Sequence, residues 1–278
     1  MNGLPARAET LCRDVAHGLA DRPLYVLLRS ELPADMRGDG ETLGCTMKHL
    51  AAIVRPELER LGRWRGIGPA MIIDAAGVAA TLARRPRESR RRCFLPAFLA
   101  IALHELAHIL DVGIDDANPA ADPPAGLVAL GRRILAAEAA GELPPTNGDG
   151  ADIPWRWHEW RFIRIAIHLA HRATCAGVDV SPLNVFDAPA HGLSDTWEYA
   201  AALGDEPQRM ASLDFAAIRA APVPPAFAAV WRRDMLRWLL PATSREQLSQ
   251  TLAACARRIF IPAAAQDATA ITKGRMPC

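Results

Sequence analysis

The most apolar segment of the chain, residues 93–113 (CFLPAFLAIALHELAHILDVG), carries two histidines, a glutamate and an aspartate in its second half. Phe98, Leu99, Leu103, Leu106 and Leu110 predict a helix that is largely buried, and a buried helix with four ionisable groups is costly unless something pairs them. A helix advances about 100° per residue, so His104 and His108 lie within about 40° of each other on one face. Two imidazoles one turn apart can reach a single divalent ion, and Glu105, one residue on, is turned so that its carboxylate reaches a water on that ion rather than the ion itself. Asp111 falls on the same face, where it can orient a ligand imidazole. The alternative is a core helix whose histidines are satisfied by hydrogen bonds and whose Glu105 lies on the surface.

The string His104-Glu105-Leu106-Ala107-His108 is HExxH, and inside an apolar helix it resembles the zincin metallopeptidases. The resemblance covers this helix and, more loosely, a second one downstream. It implies that His104 and His108 bind Zn²⁺ and that Glu105 activates water. The extended metzincin pattern is absent, because Asp111 and Ile114 stand where its glycine and third histidine would be. The deformylase variant of the motif is set aside as well: Cys45 lacks that family's context, and Ala107 stands where its acid would be.

A third protein ligand must come from elsewhere, and the candidates are His158, Glu159, His168, His171, His191 and Glu198. Residues 155–173 read as one long helix. On its wheel Arg161, Arg164, His168, His171 and Arg172 cluster as a polar, solvated face, while Glu159 falls among Phe162, Ile163, Ala166, Ala170 and Ala173. A carboxylate in an apolar stripe calls for a cation. Zinc on the imidazole pair would be that cation, and an arginine of a packing helix is the alternative. In the gluzincin branch the third ligand is a glutamate on a later helix, which the resemblance places at Glu159, with His158 as runner-up. It also implies a His or Tyr that stabilises the oxyanion, for which His191 and Tyr199 are the available residues.

The rest of the chain bounds the setting. With 278 residues, half of them apolar, it is long enough to bury a core without disulfides, and its formal charge of +1 gives no field to attract a polyanion. Nucleic acid is therefore not an expected partner. Of 32 basic residues only Lys48 and Lys273 are lysines, which reads as genome composition. The six cysteines are scattered singly, as in a reducing compartment, and Arg7, Arg13 and Asp14 interrupt the start where a signal peptide would be apolar. The longest apolar run, about ten residues, is half of a membrane crossing. These features predict a cytoplasmic protein with no membrane partner.

Only two short strands are visible, at 23–29 and 70–74. A Gly-rich loop (RGDGETLG) follows the first, and 84–92 (RRPRESRRR) reads as a solvated loop between helices. Further helices are expected at 5–20, 46–61, 127–140, 195–203, 225–240 and 244–260. The expected fold is α+β, mainly helical with a small short-stranded sheet, zincin-like, with the HELAH helix at the floor of a cleft. It forms one domain over 1–262, in lobes of about 1–112 and 113–262, and 263–278 is an aperiodic tail. The expected function is zinc-dependent hydrolysis of amide bonds in a peptide or protein substrate. The alternative is a non-catalytic helical protein with a structural metal or a partner-binding cleft. The sequence leaves the oligomeric state open.

Overall fold

The computed structural model describes residues 3–19, 21–37, 42–84, 87–114, 125–139 and 158–239. The expected helix at 244–260 and the tail at 263–278 lie outside them. The chain forms two compact units, Met1–Phe227 and Ala228–Cys278. In the second, the described residues continue one helix, in which Arg237 Nη1 lies 3.5 Å from Asp234 Oδ1. All that follows concerns the first.

It is mainly helical with a small three-stranded sheet, as the sequence predicts. The helices are α1 (Leu4–Val15), α2 (Leu50–Ile53), α3 (Arg55–Arg60), α4 (Ala75–Ala83), α5 (Arg87–Val112), α6 (Ala125–Ala139), α7 (Trp160–Cys175), α8 (Pro182–Val185), α9 (Thr196–Leu203), α10 (Glu206–Arg209), α11 (Phe215–Ala220) and α12 (Pro225–Leu239). The strands are β1 (Tyr25–Leu28), β2 (Gly44–Cys45) and β3 (Ala70–Ile73).

Strands β1 and β3 pair in parallel, Tyr25 opposite Ala70 through Leu28 opposite Ile73, and all eight residues are buried. That is the pattern of a sheet covered on both faces, and it explains why these strands read as unbroken apolar runs. Tyr25, Leu27, Ala70 and Ile72 share a core with Leu50, Leu58 and Leu135. Alternation leaves the other face to α1, which packs on β1, and to α5, which packs on β3. The third strand was missed by the sequence reading, which took its residues for part of a Gly-rich loop. Gly44 and Cys45 pair antiparallel with Ile73 and Ile72 at the sheet's edge. A two-residue strand has no alternation to detect, and the neighbouring β3 alone creates it.

The basic run also differs from expectation, since residues 87–92 are the first turns of α5 rather than a loop. Within α5 the stretch Phe94–Val112 is long and apolar enough to cross a membrane. Here it is a core helix packed against α1, α4, α7, α8 and β3.

Helix α7 is buried on nearly every side, including the face read as solvated. Arg164, His168 and Arg172 are 2%, 0% and 5% exposed. Arg164 Nε and Nη2 donate to the two oxygens of Glu206 at 2.8 and 3.1 Å, and His168 Nε2 lies 2.9 Å from Glu206 Oε1. Arg172 donates to the carbonyls of Val15, Met210 and Leu213 and lies over the Phe215 ring at 4.4 Å. The wheel registers polarity, but these groups find their hydrogen-bond partners inside the protein, far away in sequence.

Removing one partner of a buried ion pair leaves the other charge unmet, at a cost of about 3–5 kcal/mol. Glu206→Ala is therefore expected to lower unfolding stability by about that amount, measured by urea denaturation. A loss below about 1 kcal/mol would show that water reaches Arg164.

Candidate metal centre

Helix α5 supplies two imidazoles one turn apart, and the second residue before α7 supplies a third. The rings of His104, His108 and His158 stand at 5.0 Å from one another, centroid to centroid, in all three pairs. One ring nitrogen from each lies within 4.8 Å of the other two. Between His104 and His158 the Nε2 atoms are 3.2 Å apart. Two nitrogens bound tetrahedrally to one zinc at about 2.0–2.1 Å would be separated by roughly 3.3–3.4 Å, so the spacing fits a shared ion.

The tautomer of His104 follows from its other nitrogen. Nδ1 is 2.9 Å from the Val185 carbonyl oxygen, which can only accept, so Nδ1 carries the proton and Nε2 presents its lone pair to the cluster. Phe162 lies against all three imidazoles, at 5.0, 4.4 and 4.7 Å from His104, His108 and His158. Phe186 closes another side, 5.1 Å from His158. This apolar casing keeps the imidazoles neutral, as metal ligation requires. Burial holds His104 at about 4, against the pull of the Val185 carbonyl. Burial, then the neighbouring His104, brings His108 to about 3. His158 falls to about 2 through burial and the surrounding imidazoles.

Glu105 is 4% exposed and sits under the edge strand. A Cβ on Gly44 would come within 2.6 Å of Glu105 Oε1 and 2.7 Å of Ile101 Cγ2, so glycine lets β2 approach α5 this closely. The geometry is a carboxylate between an edge strand and a helix, one residue from the first imidazole.

The group of side chains that could hold an ion differs from the expected donors at one position. His158, the runner-up, joins the two motif histidines, and Glu159 does not. Helix α7 begins at Trp160, and Glu159 is its N-cap residue, with extended backbone (φ −67°, ψ 173°) and an exposed side chain. A helical wheel carried back through Glu159 assumes a helix that has already ended, and its phase is lost there. Residues 155–157, the start of the expected helix, lie outside the described residues.

His191 stands beside the cluster, its ring 4.5 Å from that of His158 and 4.9 Å from Phe186. Tyr199 is instead a core residue, 0% exposed and 5.3 Å from the Phe227 ring. Its expected place at the oxyanion is therefore corrected: the side chain is packed in the interior against Phe227. Asp111 is corrected too, since its Oδ1 pairs with Arg161 Nε at 3.2 Å and orients no ligand. Burial raises its carboxyl above the usual range, with Arg161 pulling it down and Glu159 adding to the rise. The orienting role falls to the Val185 carbonyl, which no side-chain pattern could have indicated. Phe162 and Phe186 were likewise missed as site residues, because apolar side chains at helical spacing read as core.

No protein-family model, no curated protein and no solved structure matches this chain.

A histidine whose folded pKa lies below its unfolded value of about 6.5 stabilises the fold fully above that value, and the contribution is lost as pH falls below it. His104, His108 and His158 all titrate this way, and so does His168, which burial lowers despite its bond to Glu206. Urea unfolding of chelator-treated protein is expected to show stability falling from pH 7 to pH 5, by roughly 1 kcal/mol per pH unit for each of His104, His108 and His158 once below pH 6. A flat profile would mean that the imidazoles are hydrated when metal-free.

Proposed function

We propose that this protein is a zinc-dependent hydrolase cleaving amide bonds in peptides, with His104, His108 and His158 as metal ligands. The observation that carries this reading is the convergence of three neutral imidazoles, one of them fixed by the Val185 carbonyl, beside the HExxH glutamate. The donor set fits the group. Three histidines leave a corner for water or substrate, the coordination of a catalytic rather than a structural zinc. When bound, the ion supplies Lewis acidity, polarising a carbonyl and acidifying water.

The chain's own residues would do the remainder. Glu105, buried under β2, is the general base that takes a proton from the attacking water and returns it to the leaving amine. His191 is the second acid of the site, placed to donate a hydrogen bond to the developing oxyanion. Phe162 and Phe186 keep bulk water from the imidazoles and strengthen every electrostatic contact there. The substrate class rests on the resemblance of the HELAH helix to zincins and on the place of β2, since an edge strand offers backbone hydrogen-bonding groups to an extended peptide.

A second reading has one observation in its favour. His191 is near enough to His158 that a small ring movement would make it a fourth ligand, closing the centre as a structural site. The visible spectrum of the cobalt protein separates the two, because added azide or thiocyanate perturbs an open site and leaves a closed one unchanged.

Metal content by mass spectrometry on untagged protein tests the ligand set. Wild type and Glu159→Ala are expected to hold one zinc per chain, and His108→Ala and His158→Ala to lose it. Glu105→Gln should keep the metal and lose turnover of a quenched-fluorescence peptide mixture by at least about 10²-fold. Zinc-free wild type, or zinc lost only on changing Glu159, would overturn the reading.

A further inference from the structure

One connection reaches the cluster from outside both main helices: the segment from Val185 to Thr196, between α8 and α9. It touches the imidazoles at three points, one of them the Phe186 ring 5.1 Å from His158. The Val185 carbonyl accepts from His104 Nδ1, and the His191 ring lies beside His158. Five residues lie between Val185 and His191, so something must fix their relation.

Thr196 does so. It is the first residue of α9, 1% exposed, and its hydroxyl ties the start of α9 to the entry of the turn. Oγ1 accepts the Ala188 N–H at 3.0 Å and donates its own proton to the Phe186 carbonyl at 2.9 Å. The first bond holds the start of the short turn Ala188–His191, and the second holds the residue directly after Val185. Within the turn, Leu193 N donates back to the Ala188 carbonyl at 3.1 Å, and Gly192 adopts the left-handed conformation, φ 68°, that lets the chain reverse there. One buried hydroxyl therefore sets the Val185 carbonyl, the Phe186 ring and the His191 backbone as a unit.

We propose that Thr196 is the positioning residue of the metal centre, acting on His104 through the Val185–Phe186 peptide and on His191 through Ala188. The proposal rests on the metal-site reading above and adds to it a residue outside the HExxH helix on which metal affinity depends. A group that orients a ligand imidazole affects metal affinity by roughly 10–100-fold when removed. Thr196→Val keeps the shape and loses both bonds, whereas Thr196→Ser keeps both bonds and loses one methyl.

The test is zinc affinity, measured by competition with a chromophoric chelator on wild type, Thr196→Val and Thr196→Ser, with the melting temperature of each metal-free form. The expected result is zinc binding weakened roughly 10–100-fold in Thr196→Val and restored to within about threefold in Thr196→Ser. A Thr196→Val protein that binds zinc as tightly as wild type overturns the positioning role and leaves the metal reading intact. Wild type that takes up no zinc overturns both. Should Thr196→Val fail to fold, amide hydrogen exchange of the wild type decides. Coupling is reciprocal, so zinc must slow exchange of the Ala188 N–H, and exchange unchanged by zinc overturns the proposal.

Discussion

The structure depends on how two helices, α5 and α7, bury polar groups against each other in the core. Ionisable side chains held away from water are stable only when each meets a partner of suitable charge or hydrogen-bonding capacity. Along α7 those partners are visible one by one: Glu206 for Arg164 and His168, and three backbone carbonyls for Arg172. Along α5 the same demand is met differently. Asp111 finds Arg161, His104 finds the Val185 carbonyl with one nitrogen, and one ring nitrogen each from His104, His108 and His158 lies within 4.8 Å of the other two.

That contrast separates the structural polar groups from the candidate functional ones. The Arg164–Glu206–His168 cluster is centred on one carboxylate that meets a guanidinium and an imidazole, with little exposure. Among the described residues the imidazole cluster has no carboxylate at its centre, and His104 is held from outside by the Val185 carbonyl. Three neutral rings in an aromatic casing have lone pairs to share and no proton donor among the described side chains that serves all three, an arrangement that a divalent cation completes. Glu105 stands apart from this donor set, held instead between α5 and the edge strand by the bare backbone of Gly44. The i, i+1, i+4 spacing thus puts the two imidazoles and the carboxylate in different surroundings on one helical turn.

Much of this could be read from residues in order. The buried HELAH helix followed from its apolar content and ligand spacing, and β1 and β3 followed from short β-branched and aromatic runs. The failures share a cause. Glu159 was placed by extending a helical period past the helix's true start at Trp160, and the face bearing Arg164, His168 and Arg172 was taken for solvated because periodicity reports polarity and not burial. Strand β2 escaped notice because two residues have no period. Val185 and Thr196 escaped because a backbone carbonyl and a single buried hydroxyl have no signature along the chain.

The sequence by itself determined the local chemistry: two histidines and a glutamate on one turn of a helix that must be buried, in a mainly helical chain with a small sheet. Helical geometry relates residues one to four positions apart, so a pair such as His104 and His108 is fixed before any tertiary contact forms. Tertiary structure decided which third imidazole joins them, what orients them and which polar face lies inside. His158 is 50 residues from His108 and Val185 is 81 from His104, and such separations are closed by packing that no local period encodes.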